Sequence, residues 1–403
     1  MTDTIKKVTL QNGKTRYRFV VDIGRDENGK RKQLTITKDT KKEAEAEYSR
    51  IRHQRDAGTL IAPSKITVGE WVDEWFAKKR EDLEPTTIPN YETQLSYIKN
   101  RLGATRLQAL TEDECIAFVQ WLLTHGRRRP VLVLTGDPER PTETLTGLRP
   151  TSVDTILARL KEILGRAFVR QMVRANVAEY VKVPKQARKQ DRRRNPRVKP
   201  WAVPEVQQFV SGIREDRLCA PLMESLMGMR PAEVAGQRWE QDVDLTVGTV
   251  AVLNTRTMVR NHYTVEKDTK TTSGERTLPL PRLVWDALRG FKALQARERL
   301  AAGEGYTLSG YVLVDELGVP LDTRDLRERA CELMETLGLR RVRLYDARHA
   351  VLKYLAVNGV ADVVLAAWAG HTNAAFTKAK YVAPDAEDLR AAATALDGLH
   401  GLG

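Results

Sequence analysis

Four segments in the C-terminal half of this chain carry residues suited to one reaction, the transfer of a phosphoryl group. In order they are Gly228-Met229-Arg230-Pro231-Ala232-Glu233, Tyr345-Asp346-Ala347-Arg348-His349, Gly370-His371 and Lys380-Tyr381, with Tyr381 ten residues after His371. Such a transfer needs a nucleophile, positive charge for the non-bridging oxygens and a proton for the departing oxygen. Arginine suits the second task, because its planar fork donates two parallel hydrogen bonds to a phosphate. Arg230 and Arg348, from separate segments, can hold both non-bridging oxygens, and preorganised donors of this kind are worth on the order of 10²–10³ in rate each. A tyrosine hydroxyl at Tyr381 can then attack the phosphorus of a phosphodiester with neither water nor metal.

Taken singly, an arginine among 66 Lys and Arg is more often a surface charge, and a lone His or Tyr is usually structural. The local context separates these positions from that background. Arg230 follows an apolar helix end and a glycine, and Glu233, three residues on, can brace its guanidinium. Arg348 stands at the start of a helix whose first amides also favour a phosphate, with Asp346 as a supporting neighbour. A fifth segment, Lys270-Thr271-Thr272-Ser273-Gly274-Glu275-Arg276-Thr277-Leu278-Pro279, offers a lysine close to a turn.

In this order and spacing the set resembles that of the tyrosine recombinases, the phage-integrase family. The resemblance implies that Lys270 lies on a β-hairpin and protonates the leaving 5′ oxygen, with Lys267 the competing choice. His371 and Tyr381 match the family pattern of Leu-Gly-His followed by Tyr, except that Ala369 stands in place of the Leu. Tyr345 stands where the family usually places His, and a phenol can donate a hydrogen bond to phosphate but is a weaker base than an imidazole. Tyr381 is preferred over Tyr345 as nucleophile because it follows His371 at the family spacing, and His349 is assigned to helix packing or a supporting contact.

The implied activity is that of a site-specific recombinase, or integrase, which cuts and rejoins double-stranded DNA at core-type and arm-type attachment sites. It would pass through a 3′-phosphotyrosyl link and a Holliday junction, as a homotetramer exchanging C-terminal segments, and would integrate and excise a mobile element. A host DNA-bending or excision factor is a further expected partner; no cofactor is needed. Two rival readings are a DNA-binding regulator without catalysis and a nicking enzyme like the type IB topoisomerases.

The elements that must position these residues divide the 403-residue chain into more than one domain. A fold class of multidomain α+β is expected: a small β-sheet-plus-helix N-terminal module, an all-α core-binding domain, and a mixed, mainly-α catalytic domain with a small antiparallel sheet. Residues 1–63 alternate apolar and polar residues around an Asn28-Gly29 turn and then turn helical, and Arg16, Arg18, Lys30 and Lys32 can face a DNA groove. By resemblance this module is the arm-type DNA-binding domain. Residues 64–184 read as a helical bundle resembling the family's core-binding domain. Its helix at Thr111 starts at a good capping sequence, Gly126–Pro150 is an interruption with a strand at Val131–Leu134, and a short helix falls near Ala175.

Residues 185–199 carry eight Lys or Arg against one acid, Asp191, and read as a basic linker that lies along the phosphate backbone through residues such as Arg192, Arg193 and Arg194. Residues 200–403 form the catalytic domain and its tail. Within them Val250–Leu253, Tyr263–Glu266 and Arg276–Leu280 read as strands, and Asp385–Leu396 as a last helix.

A formal charge of +13 points to a polyanionic partner, nucleic acid first. Three scattered cysteines support neither a disulfide framework nor a zinc site, and the six histidines show no metal-ligand spacing. The absence of a signal core or apolar span suggests a cytoplasmic protein with no membrane partner.

Overall fold

The computed structural model describes residues 4–9, 14–25, 31–57, 59–137, 140–195, 199–259, 263–268 and 275–371. It divides into two compact units at Pro196 and Arg197.

The first unit opens with an antiparallel sheet in the order β1 (Ile5–Thr9), β2 (Thr15–Arg25), β3 (Arg31–Lys38), followed by α1 (Lys41–Asp56). The two-residue period of β2 sends Phe19 and Val21 into a core completed by Ala44 and Ile51 of α1. Arg16 and Arg18 therefore share the opposite face. There Arg18 lies between Lys6 and Thr37 across the strands and donates to Thr37 Oγ1 at 3.3 Å, while Arg16 pairs with Asp39 at 2.8 Å. Lys32 is on β3, and Lys30 lies outside the described residues.

The bundle follows as α2 (Val68–Lys79), α3 (Ile88–Leu102), α4 (Glu112–His125), a hairpin of β4 (Val131–Asp137) and β5 (Arg140–Leu145), and α5 (Pro150–Val169). Helices α2 and α4 each begin with a reciprocal cap, Thr67 with Glu70 and Thr111 with Glu114. Apolar residues at helical spacing bury one face of each helix, and Trp71, packed centrally, donates its indole N–H to the Ile163 carbonyl at 3.1 Å. The expected strand at Val131–Leu134 is thus one arm of a hairpin. The expected helix near Ala175 does not form. The Asn176 side chain donates to the Lys161 carbonyl and accepts from the Ala178 amide, a local bond that competes with helix.

Residues Lys185–Arg194, read above as linker, form α6. Like charges along a helix repel, and two ion pairs to the bundle offset this: Arg149 grips Asp191 through both arms of its fork (3.0–3.1 Å), and Arg188 meets Asp154 at 2.7 Å. Arg192, Arg193 and Arg194 remain exposed on the last turn.

The second unit comprises α7 (Val203–Gly212), α8 (Cys219–Leu226), α9 (Pro231–Gly236), β6 (Val243–Asp244), β7 (Thr249–Val252), β8 (Asn254–Val259), β9 (Tyr263–Asp268), β10 (Arg276–Pro279), α10 (Arg282–Ala302), α11 (Thr323–Thr336), α12 (Leu344–Val357) and α13 (Asp362–Ala369). Its strands make two antiparallel sheets, one ordered β10-β7-β6 and the other pairing β8 with β9. Among the described residues, the strands on either side of Lys270 pair with other strands, β9 with β8 and β10 with β7. That differs from the single hairpin expected there. The core collects residues of α7 to α12 around Phe209, Leu222, Met229, Leu288 and Ala330.

Candidate active site

Two turns and one helix start set the positions of Arg230, Arg348 and His371 in the second unit. Helix α8 ends in a turn at Gly228, whose φ of +104° strains any residue with a side chain, and the chain then enters α9 with Arg230 just ahead of Pro231. Glu233 sits three residues on. It takes the Arg230 backbone N–H at 2.8 Å and the Arg230 Nη1 at 2.5 Å, so one carboxylate caps the helix and braces the arginine. The Arg230 side chain keeps 31% of its surface exposed.

Glu233 also holds Arg276 of β10. Both Arg276 Nη atoms reach its carboxylate, at 2.9 and 3.2 Å, while Arg276 Nε donates to the Trp368 carbonyl at 2.8 Å. Burial alone would raise the Glu233 carboxyl, but the bonds and charge of Arg276, with those of Arg230, hold it below the ordinary carboxylate value. Arg276 thereby ties the first arginine's turn to the end of α13.

Arg348, in the first turns of α12, is fully buried. Its Nη1 donates to the Gly228 carbonyl at 2.6 Å, its Nη2 donates to the Ala369 carbonyl, and the same Nη2 lies 3.2 Å from His371 Nε2. A guanidinium has no acceptor atom, so this contact makes Nε2 the acceptor and leaves the ring proton on Nδ1. His371 is aimed by the left-handed Gly370 (φ +59°, ψ +49°), with its own N–H returned to the Ala366 carbonyl at 3.0 Å. Trp368 closes the same corner by donating its indole N–H to the Met227 carbonyl at 2.8 Å.

Arg348 and His371 are thus in contact, and Glu233, which holds Arg230, is joined through Arg276 to the Trp368 carbonyl. Tyr345 sits one turn before His349 and packs edge-on against its ring, with centroids 5.3 Å apart. Asp346, expected as a supporting residue, is bonded to Arg343. It caps α12 by accepting from the Arg343 backbone at 3.2 Å and from the Arg343 fork at 2.9 Å; burial would raise its carboxyl, and Arg343 holds it low. Lys270 and Tyr381 lie outside the described residues, as does the expected helix at Asp385–Leu396, and Lys267 is on β9. Sequence reasoning overlooked Arg276 and Trp368; the only hint was their position beside the lysine and histidine segments. The arrangement can present cationic donors and an imidazole to an anion. Among the described residues no cluster of His, Cys, Asp or Glu could hold a metal ion, and no helix is long and apolar enough to cross a membrane.

Comparison with known proteins places this geometry in context. Residues 206–388 match the model of the phage integrase family, and residues 67–123 that of the phage integrase N-terminal SAM-like domain. A tyrosine recombinase XerC-like protein of Caldanaerobacter subterraneus subsp. tengcongensis is 24% identical over 387 residues, covering 91% of this chain and 92% of its own. An integrase of Streptomyces ambofaciens is 24% identical over 395 residues, covering 95% and 93%. Among solved structures, the Tn1549 transposon integrase in complex with a circular intermediate DNA superimposes with a TM-score of 0.62 at 17% identity, over 82% of this chain and 99% of that one. A lambda integrase tetramer bound to a Holliday junction gives 0.52 at 14%, over 94% and 96%. The fold is shared with both.

Proposed function

This chain is a tyrosine recombinase of the phage integrase family, and from that we propose that it cuts and rejoins DNA at attachment sites through a covalent link to Tyr381. The observation that carries the reading is the convergence of Arg230, Arg348 and His371, drawn together by bonds from Arg348 to the Gly228 and Ala369 segments. The two guanidinium groups would neutralise the non-bridging oxygens as the pentavalent transition state forms. The Tyr381 oxygen would bond to phosphorus as the bond to the 5′ oxygen breaks, and Lys270 would deliver a proton to that oxygen. The 3′-phosphotyrosyl bond keeps the energy of the broken linkage, so a 5′-hydroxyl of the partner duplex can attack it without ATP.

Two such rounds would pass through a Holliday junction on a tetramer, the assembly in which the lambda integrase is seen. Integration and excision of a mobile element is the biological role we favour, supported by the transposon integrase among the similar structures. The open face bearing Arg16 and Arg18 would meet arm-type sites, and exposed Arg192, Arg193 and Arg194 the core duplex.

A nicked suicide duplex carrying the attachment core of the element that encodes the chain tests this directly. Wild type should form an adduct that survives denaturing electrophoresis, and Tyr381→Phe should form none. An adduct that persists in Tyr381→Phe would move the nucleophile to Tyr345 or another tyrosine. DNA binding without any adduct would favour the non-catalytic regulator.

A further inference from the structure

Beneath the first arginine's turn lie two polar side chains that the chemistry above does not use. Glu224, on α8, is fully buried, and Gln237, directly after α9, is 2% exposed. Both carboxyl oxygens of Glu224 and both ends of the Gln237 amide are buried without a hydrogen bond at full geometry. Gln237 is nevertheless the one side chain whose hydrogen bonding acts on the Glu224 carboxyl. Buried polar groups without partners are costly, so four in one core call for an arrangement that satisfies them.

Only one protonation state does so. A carboxylate and an amide oxygen are both acceptors, and a buried carboxylate would further require a nearby cation. A neutral carboxylic acid is complementary to a primary amide: its O–H donates to the amide oxygen while the amide N–H donates to its carbonyl. That pairing uses all four atoms. Among the described residues, burial and Gln237 are the influences seen on the Glu224 carboxyl. Of the elements packed on α8, Glu233 of α9 is held by Arg230 and Arg276, Arg348 of α12 is committed to main-chain carbonyls, Asp346 of α12 is held by Arg343, and Glu298 of α10 by Arg217. On α11, Arg329 is paired with Asp216.

We propose that Glu224 is a positioning residue of this recombinase, a neutral acid paired with Gln237 that clamps the two ends of the segment carrying Gly228, Arg230 and Glu233. The geometry gives the clamp purchase on the site. The Glu224 carbonyl accepts the Met229 N–H at 3.3 Å, next to Arg230, and the Gln237 carbonyl accepts the Val312 N–H at 2.9 Å, fixing its end to the core. With both ends held, the Gly228 carbonyl stays where Arg348 reaches it.

Burial pushes the Glu224 carboxyl up to about 8, from an ordinary 4.5. The unfolded chain therefore loses this proton near pH 4.5 while the folded chain keeps it to about pH 8, and stability falls as pH rises across that window. Melting temperatures of the full-length wild type and Glu224→Gln should diverge accordingly. The mutant's advantage should grow by several degrees across the window and level off above it, because glutamine keeps the pairing without titrating. A difference that stays flat with pH would overturn the acid–amide pair.

The positioning role rests on the recombinase reading and is tested on the suicide duplex. Glu224→Leu should slow single-turnover adduct formation at least tenfold with DNA affinity unchanged, and Glu224→Gln should restore it. Wild-type rates in Glu224→Leu would overturn the positioning role. Should Glu224→Leu not fold, the melting comparison with Glu224→Gln still decides the pairing. Should wild type itself form no adduct, the recombinase reading fails while that comparison stands.

Discussion

Glu233 answers to two arginines of different rank, and substitutions can separate them. Arg276 and Glu233 have side chains only 7% and 2% exposed, so Arg276→Met leaves a buried carboxylate with only the partly exposed Arg230 to balance it. Breaking a buried pair from one side costs about 3–5 kcal/mol, which urea denaturation at neutral pH should reveal. The same carboxyl is held below its ordinary value, so it stabilises the fold above that value, and its contribution is lost as pH falls through the depressed one. Acid denaturation of Glu233→Gln should begin from a lower stability and show a shallower acid limb. Arg230→Ala, by contrast, should leave stability within about 1 kcal/mol of wild type and lower the cleavage rate about 10²–10³-fold. The Arg230–Glu233 bond was legible in the sequence because both partners sit in one helical turn. Arg276 was not, since its bonds run to residues 43 and 92 positions away. Asp346 was read as a supporting neighbour of Arg348, and which arginine its carboxylate meets was not legible: it faces Arg343, three residues before it.

At the scale of elements, periodicity and caps carried most of the reading. Thr111 with Glu114 and the apolar spacing from Val68 to Phe76 each define a helix by residues three or four apart. The failures have a common form, in which a distant partner decides. Val250–Leu253 reads as a strand and one forms there, Thr249–Val252, but the next strand, which begins at Asn254 in another sheet, went unread because its pairing with β9 sets it. The basic run reads as linker from its charge, and becomes α6 because Arg149 and Asp154 of the bundle receive its Asp191 and Arg188. Asp191 is central to that docking through Arg149, so Asp191→Ala should loosen α6. With Arg149 half exposed the stability cost is at most about 1 kcal/mol, but limited proteolysis should cut residues 185–195 markedly faster than in wild type.

The whole molecule carries a charge of +13, and this bears on affinity more than on chemistry. Each phosphate neutralised should contribute about 0.9 to the slope of log affinity against log salt. Replacing Arg192, Arg193 and Arg194 together by Ala should lower that slope by up to about 3, weaken binding across all sequences alike, and leave the adduct rate on saturated DNA unchanged. A slope equal to wild type would remove α6 from the DNA surface. Composition alone indicated the polyanion; which basic residues meet it depends on the faces that folding leaves open, as with Arg18 opposite the α1 side of its sheet.

The buried Arg348 makes its two strong bonds to the peptide oxygens of Gly228 and Ala369. A grip on the main chain is blind to what the neighbouring side chain is. The bond itself therefore asks nothing of the Ala369 side chain, which answers instead to the packing around it, fully buried beside Leu352 and Leu365. Gly228 has no such latitude, because its φ of +104° is a demand on the residue itself. Of the two anchors that hold this arginine, one is constrained by the core around its side chain and the other by its own backbone.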